Sequence, residues 1–182
     1  MWGSRPLRGP KKPMQLRPTP DAMRERVFAV LADRVEGAAV LDLFAGTGAV
    51  GLEALSRGAD RVVFVERHRA AADLTRRNCA TFDLDENRAR VVNRAALAAV
   101  QMLADSKSIF DLMWADPPFE SWNDGLEVVH RAFSTGLIAP GGLACLECPE
   151  RADVEGSLSA DLHILRDLKG GASRVVMIEA KT

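Results

Sequence analysis

From Ala38 onward, strand-length apolar runs alternate with stretches whose apolar positions recur every three or four residues. "AVLDLFAG" is a short apolar run ending in glycine, "AVGLEALSRG" has helical spacing and closes at Gly58, and "RVVFVE" is a second apolar run. The alternation continues with a helix over about 69–81, "ARVVN" at 89–93, an Ala-rich helix near 95–104 and "FDLMWADPPF" at 110–119. A helix at about 123–135, a turn at "PGG" and the run "LACLEC" complete a fifth unit. Continuous β-branched and apolar runs separated by helices predict a parallel sheet covered on both faces. At the end of the chain, "LHILRDL" and "RVVMIEA" flank "KGGAS", which predicts two strands joined by a tight glycine turn. The expected architecture is an open three-layer α/β/α fold, with a mostly parallel seven-stranded sheet and an antiparallel C-terminal strand.

Ahead of the sheet, "RPTPDAMRERVFAVLADRV" predicts one more helix. Thr19 is a suitable N-cap, Pro20 suits the first helical position and Asp21 complements the positive helix end. Met23, Val27, Val30 and Leu31 are expected to form its apolar face. Charge changes the picture before this helix. Residues 1–26 carry seven basic side chains against two acidic ones, a net +5, which leaves −6 on the remaining 156 residues of a 182-residue chain. Five of the nine prolines also fall there, so residues 1–18 read as an extended arm and residues 19–182 as a single domain. A basic arm on an acidic body suits a polyanion partner through Arg5, Arg8, Lys11 and Lys12, and it is equally the composition of a solvated terminus.

No run approaches the roughly 18 apolar residues of a membrane span, and "MWGSRPLRGPKK" lacks the core of a secretion signal, so a cytoplasmic protein that makes no membrane contact is expected. Cys79, Cys145 and Cys148 are too few for a disulfide framework. "CLEC" has the spacing of half a zinc site, but no second pair follows and the histidines are scattered, so buried strand thiols and no metal are expected.

"FAGTGAVG" sets Gly46, Gly48 and Gly51 in G-x-G-x-x-G spacing between a predicted strand and helix, and Glu66 ends the next strand 20 residues after Gly46. Glycines let the loop turn sharply and admit a ligand to the backbone, and an acid at the second strand end can accept ribose hydroxyls. The pattern also fits a dinucleotide. Asp42, inside the first strand, tips the balance: a carboxylate there can order the loop and lie near a cationic amino-acid group, which suits S-adenosylmethionine, a ligand without phosphate. The alternative for Asp42 is loop capping alone.

"ADPPFE" lies at the C-terminal end of the fourth predicted strand, where open α/β sheets bind ligands. Two prolines fix φ and remove two backbone donors, so Asp116 stands beside carbonyls rather than N–H groups. Asp116 and the Pro117 carbonyl can each accept a hydrogen from an exocyclic base amino group, aiming the nitrogen lone pair at a methyl sulfonium, while Phe119 stacks on the base. The plain alternative is a structural turn.

Taken together, "LRPTPDAMRERVFAVL", "LDLFAGTGAVGLEALSRGA" and "FDLMWADPPF" resemble the bacterial RsmD family, Rossmann-like class I methyltransferases that methylate N2 of one guanine in 16S ribosomal RNA. The resemblance runs from about Leu16 to Phe119. It implies that Asp42, Gly46, Thr47 and Gly48 hold the methionine part of S-adenosyl-L-methionine and Glu66 its ribose, with Phe44 also among the cofactor-binding residues. Asp116, Pro117, Pro118 and Phe119 would hold the target base, and Arg17, Thr19 and Arg24 would lie near the active-site mouth. "VVNRAAL" puts Ala95 where the family usually has Asp or Asn against the cofactor adenine, so backbone groups or a neighbour would serve there. The implied partner is 16S ribosomal RNA or a small-subunit assembly particle, bound by a monomer. Other readings are a DNA or RNA adenine-N6 or cytosine-N4 methyltransferase, a non-catalytic binding module, and a nicotinamide oxidoreductase in which Asp42 has no task.

Overall fold

Seven strands form one sheet in the order β3-β2-β1-β4-β5-β7-β6. The strands are β1 (Ala39–Leu43), β2 (Arg61–Val65), β3 (Ala89–Val92), β4 (Phe110–Ala115), β5 (Ile138–Pro149), β6 (Leu162–Gly170) and β7 (Ser173–Ala180). β1 to β5 pair in parallel, and β7 runs antiparallel between β5 and β6, as expected for a mostly parallel sheet with a reversed C-terminal strand. The structure, a computed structural model, describes Gly9 and residues 21–181. Thr19, Pro20 and the basic positions Arg5, Arg8, Lys11, Lys12 and Arg17 lie outside the described residues, as does the expected boundary after residue 18.

The helices are α1 (Asp21–Leu31), α2 (Ala49–Ser56), α3 (Arg69–Thr81), α4 (Ala96–Asp105) and α5 (Trp122–Ser134). Side chains alternate along each strand, so the sheet feeds two cores. Leu41, Leu43, Val65, Ala115 and Leu146 join α4 and α5 on one face. Val40, Phe64, Leu112, Trp114 and Cys145 join α1 and α2, with Cys79 of α3, on the other. Each fully buried Leu, Phe or Met contributes about 1.5–3 kcal/mol, so these two layers fix the strand register.

Three expectations need correction. In α1 the buried face is Met23, Val27, Phe28 and Leu31, and Val30 is 43% exposed. Phe28 and Leu31 swing the centre of that face away from Val30, which is left at its edge, about 20° from Met23 on the side away from Phe28. "PGG" does not end an element: β5 runs through Pro140–Gly142, and its pairing with β4 shifts register between Phe110 and Leu112. Gly141, at φ +75, takes the left-handed backbone that makes this bulge, and a Cβ at Gly142 would come within 2.9 Å of the Asp111 carbonyl. The third concerns the thiols: Cys145 and Cys148 are strand residues, whereas Cys79 sits on α3, and all three are buried and free. Burial pushes Cys145 up to about 12 and Cys79 up to about 11, which leaves unreactive thiols. Among the described residues, no helix is long and apolar enough to cross a membrane.

Candidate active site

The glycine loop joins β1 to α2 at the C-terminal edge of the sheet. Its backbone departs from extended geometry at Phe44 (φ +62), Gly46 (φ +56) and Gly48 (φ +80). Phe44 is the unusual member, because a side chain rarely takes that conformation and such strain gathers at ligand sites. Gly48 and Gly51 are required for space. A Cβ at Gly48 would stand 2.7 Å from Thr75 Cγ2, and one at Gly51 would stand 2.3 Å from the Phe64 ring. The loop is thereby pressed onto β2 and α3.

Hydrogen bonds fasten the loop from all sides. Gly46 N–H donates to Glu66 Oε2 at 3.0 Å, Gly48 N–H to the Ala45 carbonyl at 2.7 Å, and Gly51 N–H to Asp42 Oδ2 at 3.0 Å. On the outer side, Thr75 Oγ1 donates to the Gly46 carbonyl at 2.9 Å and Asn78 Nδ2 to the Thr47 carbonyl at 2.9 Å. Glu66 is 5% exposed and also accepts the His68 N–H at 2.7 Å, which leaves lone pairs on both its oxygens for further donors. Asn93, the first residue after β3, donates to the carbonyls of Glu66 and Arg67 at 2.8 and 2.9 Å and holds the β2 end against the β3 end. Thr75, Asn78 and Asn93 were not expected from the sequence.

Asp42 is 2% exposed, and burial, with Glu66 adding to it, pushes its carboxyl up to about 7 against the pull of the Gly51 N–H. This donor inventory discriminates between ligands. A pyrophosphate needs free loop N–H groups, yet those of the three loop glycines already have acceptors, two of them carboxylates that repel phosphate. Two buried carboxylates beside a glycine loop instead fit a ligand with an ammonium, a sulfonium and ribose hydroxyls, so the residues present suit S-adenosylmethionine.

The Asp-Pro-Pro-Phe corner begins where β4 ends. Asp116 N–H reaches the Leu43 carbonyl of β1 at 3.5 Å, so the corner and the root of the glycine loop share one hydrogen-bonded junction. Pro117 is buried and Asp116 and Phe119 are half-buried, while Pro118 is exposed. Pro117 packs against α5, where a Cβ at Gly125 would stand 2.6 Å from its Cγ. The Pro118 carbonyl accepts the Ser121 N–H at 2.9 Å and starts the short turn into α5. The corner is rigid because proline fixes it and the core backs it.

The structure thus brings Asp42, Phe44, Gly46, Thr47, Gly48, Glu66 and Asp116 to Phe119 to one edge. Ala95 lies further along that edge, exposed, as the residue before α4. Arg24 is placed otherwise: its guanidinium is partly buried and engages Glu53 of α2 and Asp21, so it docks α1 onto α2. Arg57, also paired with Glu53, lies 4.9 Å over the Phe28 ring and completes that contact.

A family model described as Conserved hypothetical protein 95 matches residues 1–179. The chain belongs to this family, the RsmD family. It is 42% identical over 159 residues to Ribosomal RNA small subunit methyltransferase D of Escherichia coli K12, covering 86% of this chain and 74% of that one. It is 35% identical over 132 residues to the protein of the same name in Haemophilus influenzae, covering 72% of this chain and 67% of that one. Among solved structures, yhhF of Escherichia coli superposes with a TM-score of 0.76 at 30% identity, covering 91% of this chain and 88% of that chain. Membership of the RsmD family agrees with the architecture and with the position of the glycine loop beside the Asp-Pro-Pro-Phe corner.

Proposed function

We propose that this protein transfers a methyl group from S-adenosyl-L-methionine to the exocyclic N2 of a guanine in 16S ribosomal RNA. The observation that carries this reading is the pairing of a carboxylate-lined glycine loop, its glycine N–H groups already engaged, with a donor-free corner one strand away. The names of the relatives supply the substrate class: those in Escherichia coli and Haemophilus influenzae are both small-subunit ribosomal RNA methyltransferases.

When bound, the cofactor supplies an electrophilic methyl group on a sulfonium. Asp42 lies beneath the glycine loop and offers its carboxylate to the amino-acid ammonium, with Phe44, Gly46, Thr47 and Gly48 shaping the wall around it. Glu66 receives the ribose hydroxyls on the lone pairs that the Gly46 and His68 N–H groups leave open. No side chain at Ala95 can bond adenine, so backbone groups of that edge serve instead. The Asp116 carboxylate and the Pro117 carbonyl accept the two N2 hydrogens, draw the nitrogen lone pair out of conjugation with the ring, and aim it into the site. Asp116 takes up the proton that the nitrogen loses. Pro118 keeps the corner extended, and Phe119 stacks on the base once it has left its helix. Arg5, Arg8, Lys11, Lys12, Arg17 and Thr19 are assigned to RNA phosphates; Arg24 is assigned to holding α1 against α2. The enzyme works as a cytoplasmic monomer on the RNA or on a partly assembled small subunit.

The test is calorimetric titration with S-adenosylmethionine and, separately, NAD, followed by radiolabelled methyl transfer to small ribosomal subunits from a strain lacking the corresponding enzyme. Binding of the first alone, with label recovered on a guanine N2 of 16S RNA, is the expected result. Binding of NAD, or label absent from every RNA offered, sinks the proposal.

A further inference from the structure

The register of β4 on β5 extends one step beyond the strand pair. Ala115 pairs with Leu146 in parallel, so Asp116 and Glu147 stand level at the C-terminal edge of adjacent strands, which lie about 4.8 Å apart. Their facing is fixed by α5. Pro117 and Leu146 both point there, since a Cβ at Gly125 would meet Pro117 Cγ at 2.6 Å and Leu146 Cδ1 at 2.8 Å. Alternation therefore turns Asp116 and Glu147 to the opposite face, the one that also carries Trp114 and Cys145. Glu147 is 3% exposed there, and its partner on β7, Val175, is buried in the same layer.

The sheet order then places Asp116 between two neighbours of different kinds. On the β1 side lie Asp42 and the glycine loop; on the β5 side lies Glu147. A base whose amino group points toward the glycine loop must extend its ring toward β5. Guanine presents N1–H directly beside its 2-amino group, so its edge carries three adjacent hydrogens. Adenine carries a lone pair at N1 and no 2-amino group. A carboxylate on the β5 side accepts from the first and repels the second.

We infer that Glu147 reads the N1–H of the target guanine while Asp116 and the Pro117 carbonyl hold its N2 amino group. The inference rests on the methyl-transfer reading above and adds the residue that selects guanine. Glu147 interrupts the apolar run "LACLEC", a position where strand packing asks for a hydrophobic side chain.

The test uses 16S RNA in which the methylated guanine, located by mapping the label, is replaced by 2-aminopurine. That base keeps the 2-amino group but has a lone pair at N1. The full-length protein is expected to prefer guanine by roughly 10²-fold in kcat/KM, and Glu147→Gln, whose amide can donate to N1, is expected to bring the ratio within about tenfold. Affinity for S-adenosylmethionine is expected to stay unchanged in the variant. An equal loss on both RNAs, with the ratio intact, would falsify the assignment of Glu147 and leave the methyl-transfer reading standing. Absence of any label on guanine with the unaltered protein removes both.

Discussion

The two ends of the sheet differ in a way that separates shape from chemistry. At the N-terminal end, a hollow of about 350 Å³ opens between Arg34, Glu36, Gly37, Asp111, Pro140 and Gly141. Its polar groups tie elements together: Asp111 Oδ2 accepts the Ala39 N–H at 2.8 Å, and Arg34 Nη1 donates to the Gly141 carbonyl at 3.3 Å. Asp111 and Arg34 are exposed, so water and salt screen their charges. At the C-terminal end, Asp42, Glu66 and Glu147 are buried and Asp116 is half-buried. A buried carboxylate is unfavourable for the fold on its own and strongly favourable toward a matching cation or donor. Burial of charge, rather than the hollow, is therefore the guide to the chemistry proposed for this fold.

The sharpest way to break the comparison is at the corner. Asp116→Ala is expected to lower methyl transfer to small subunits by on the order of 10³-fold, since it removes both the amino-group acceptor and the proton acceptor. Affinity for S-adenosylmethionine, measured by calorimetry, is expected to change little, because the cofactor loop is held by Asp42 and Glu66. A variant that turns over normally removes Asp116 from the reaction.

Asp42→Asn tests the buried charge itself. The Asp42 carboxyl is raised from 3.8 to about 7, so the folded state holds a proton that the unfolded chain releases between those values. Its stability contribution is complete below the lower value and is lost as pH rises through the upper one. The asparagine oxygen can still accept the Gly51 N–H and carries no charge. Chemical denaturation at a pH above about 7 is therefore expected to find the variant more stable by roughly 1–3 kcal/mol, with the difference shrinking toward pH 4. Cofactor binding moves the other way: the unaltered protein binds S-adenosylmethionine more weakly as pH falls through about 7, and the variant binds at least roughly tenfold more weakly at neutral pH. A variant that gains no stability above neutral pH would show that Asp42 is not held charged there.

What could be read from the sequence depended on how local its cause was. The span of α3, Arg69–Thr81, is set by residues three and four apart and was evident from spacing alone. The glycine loop and the Asp-Pro-Pro-Phe corner are runs of consecutive residues, and Glu66 ends the next strand 20 residues after Gly46, so these were equally visible. The clamps on the loop were not. Thr75, Asn78 and Asn93 bond to carbonyls 29, 31 and 27 residues away, and nothing beside them in the chain marks those partners. The family resemblance implied that Arg24 lies near the active-site mouth, but nothing beside it in the chain marked its carboxylate partner Glu53, 29 residues along on α2. "PGG" looked like a stop because glycine and proline usually end strands, and only pairing with β4 reveals a bulge instead. Glu147 did leave a mark, a lone acid in an apolar strand, which becomes meaningful once register sets it beside Asp116.

The smallest expected effect lies at the opposite end. Asp111→Ala removes the acceptor of the Ala39 N–H at the start of β1 and is expected to lower stability by about 1 kcal/mol, measured by urea denaturation. Methyl transfer and S-adenosylmethionine affinity are expected to stay within about twofold, because β1 is pinned along its length by β2 and β4, and its far end carries the glycine loop unchanged. The two ends would then be energetically separate, with the hollow serving the fold and the acidic edge serving the reaction. A loss of transfer that outruns the loss of stability would mean that the N-terminal hollow reaches the site through β1, and that the division drawn from charge burial is wrong.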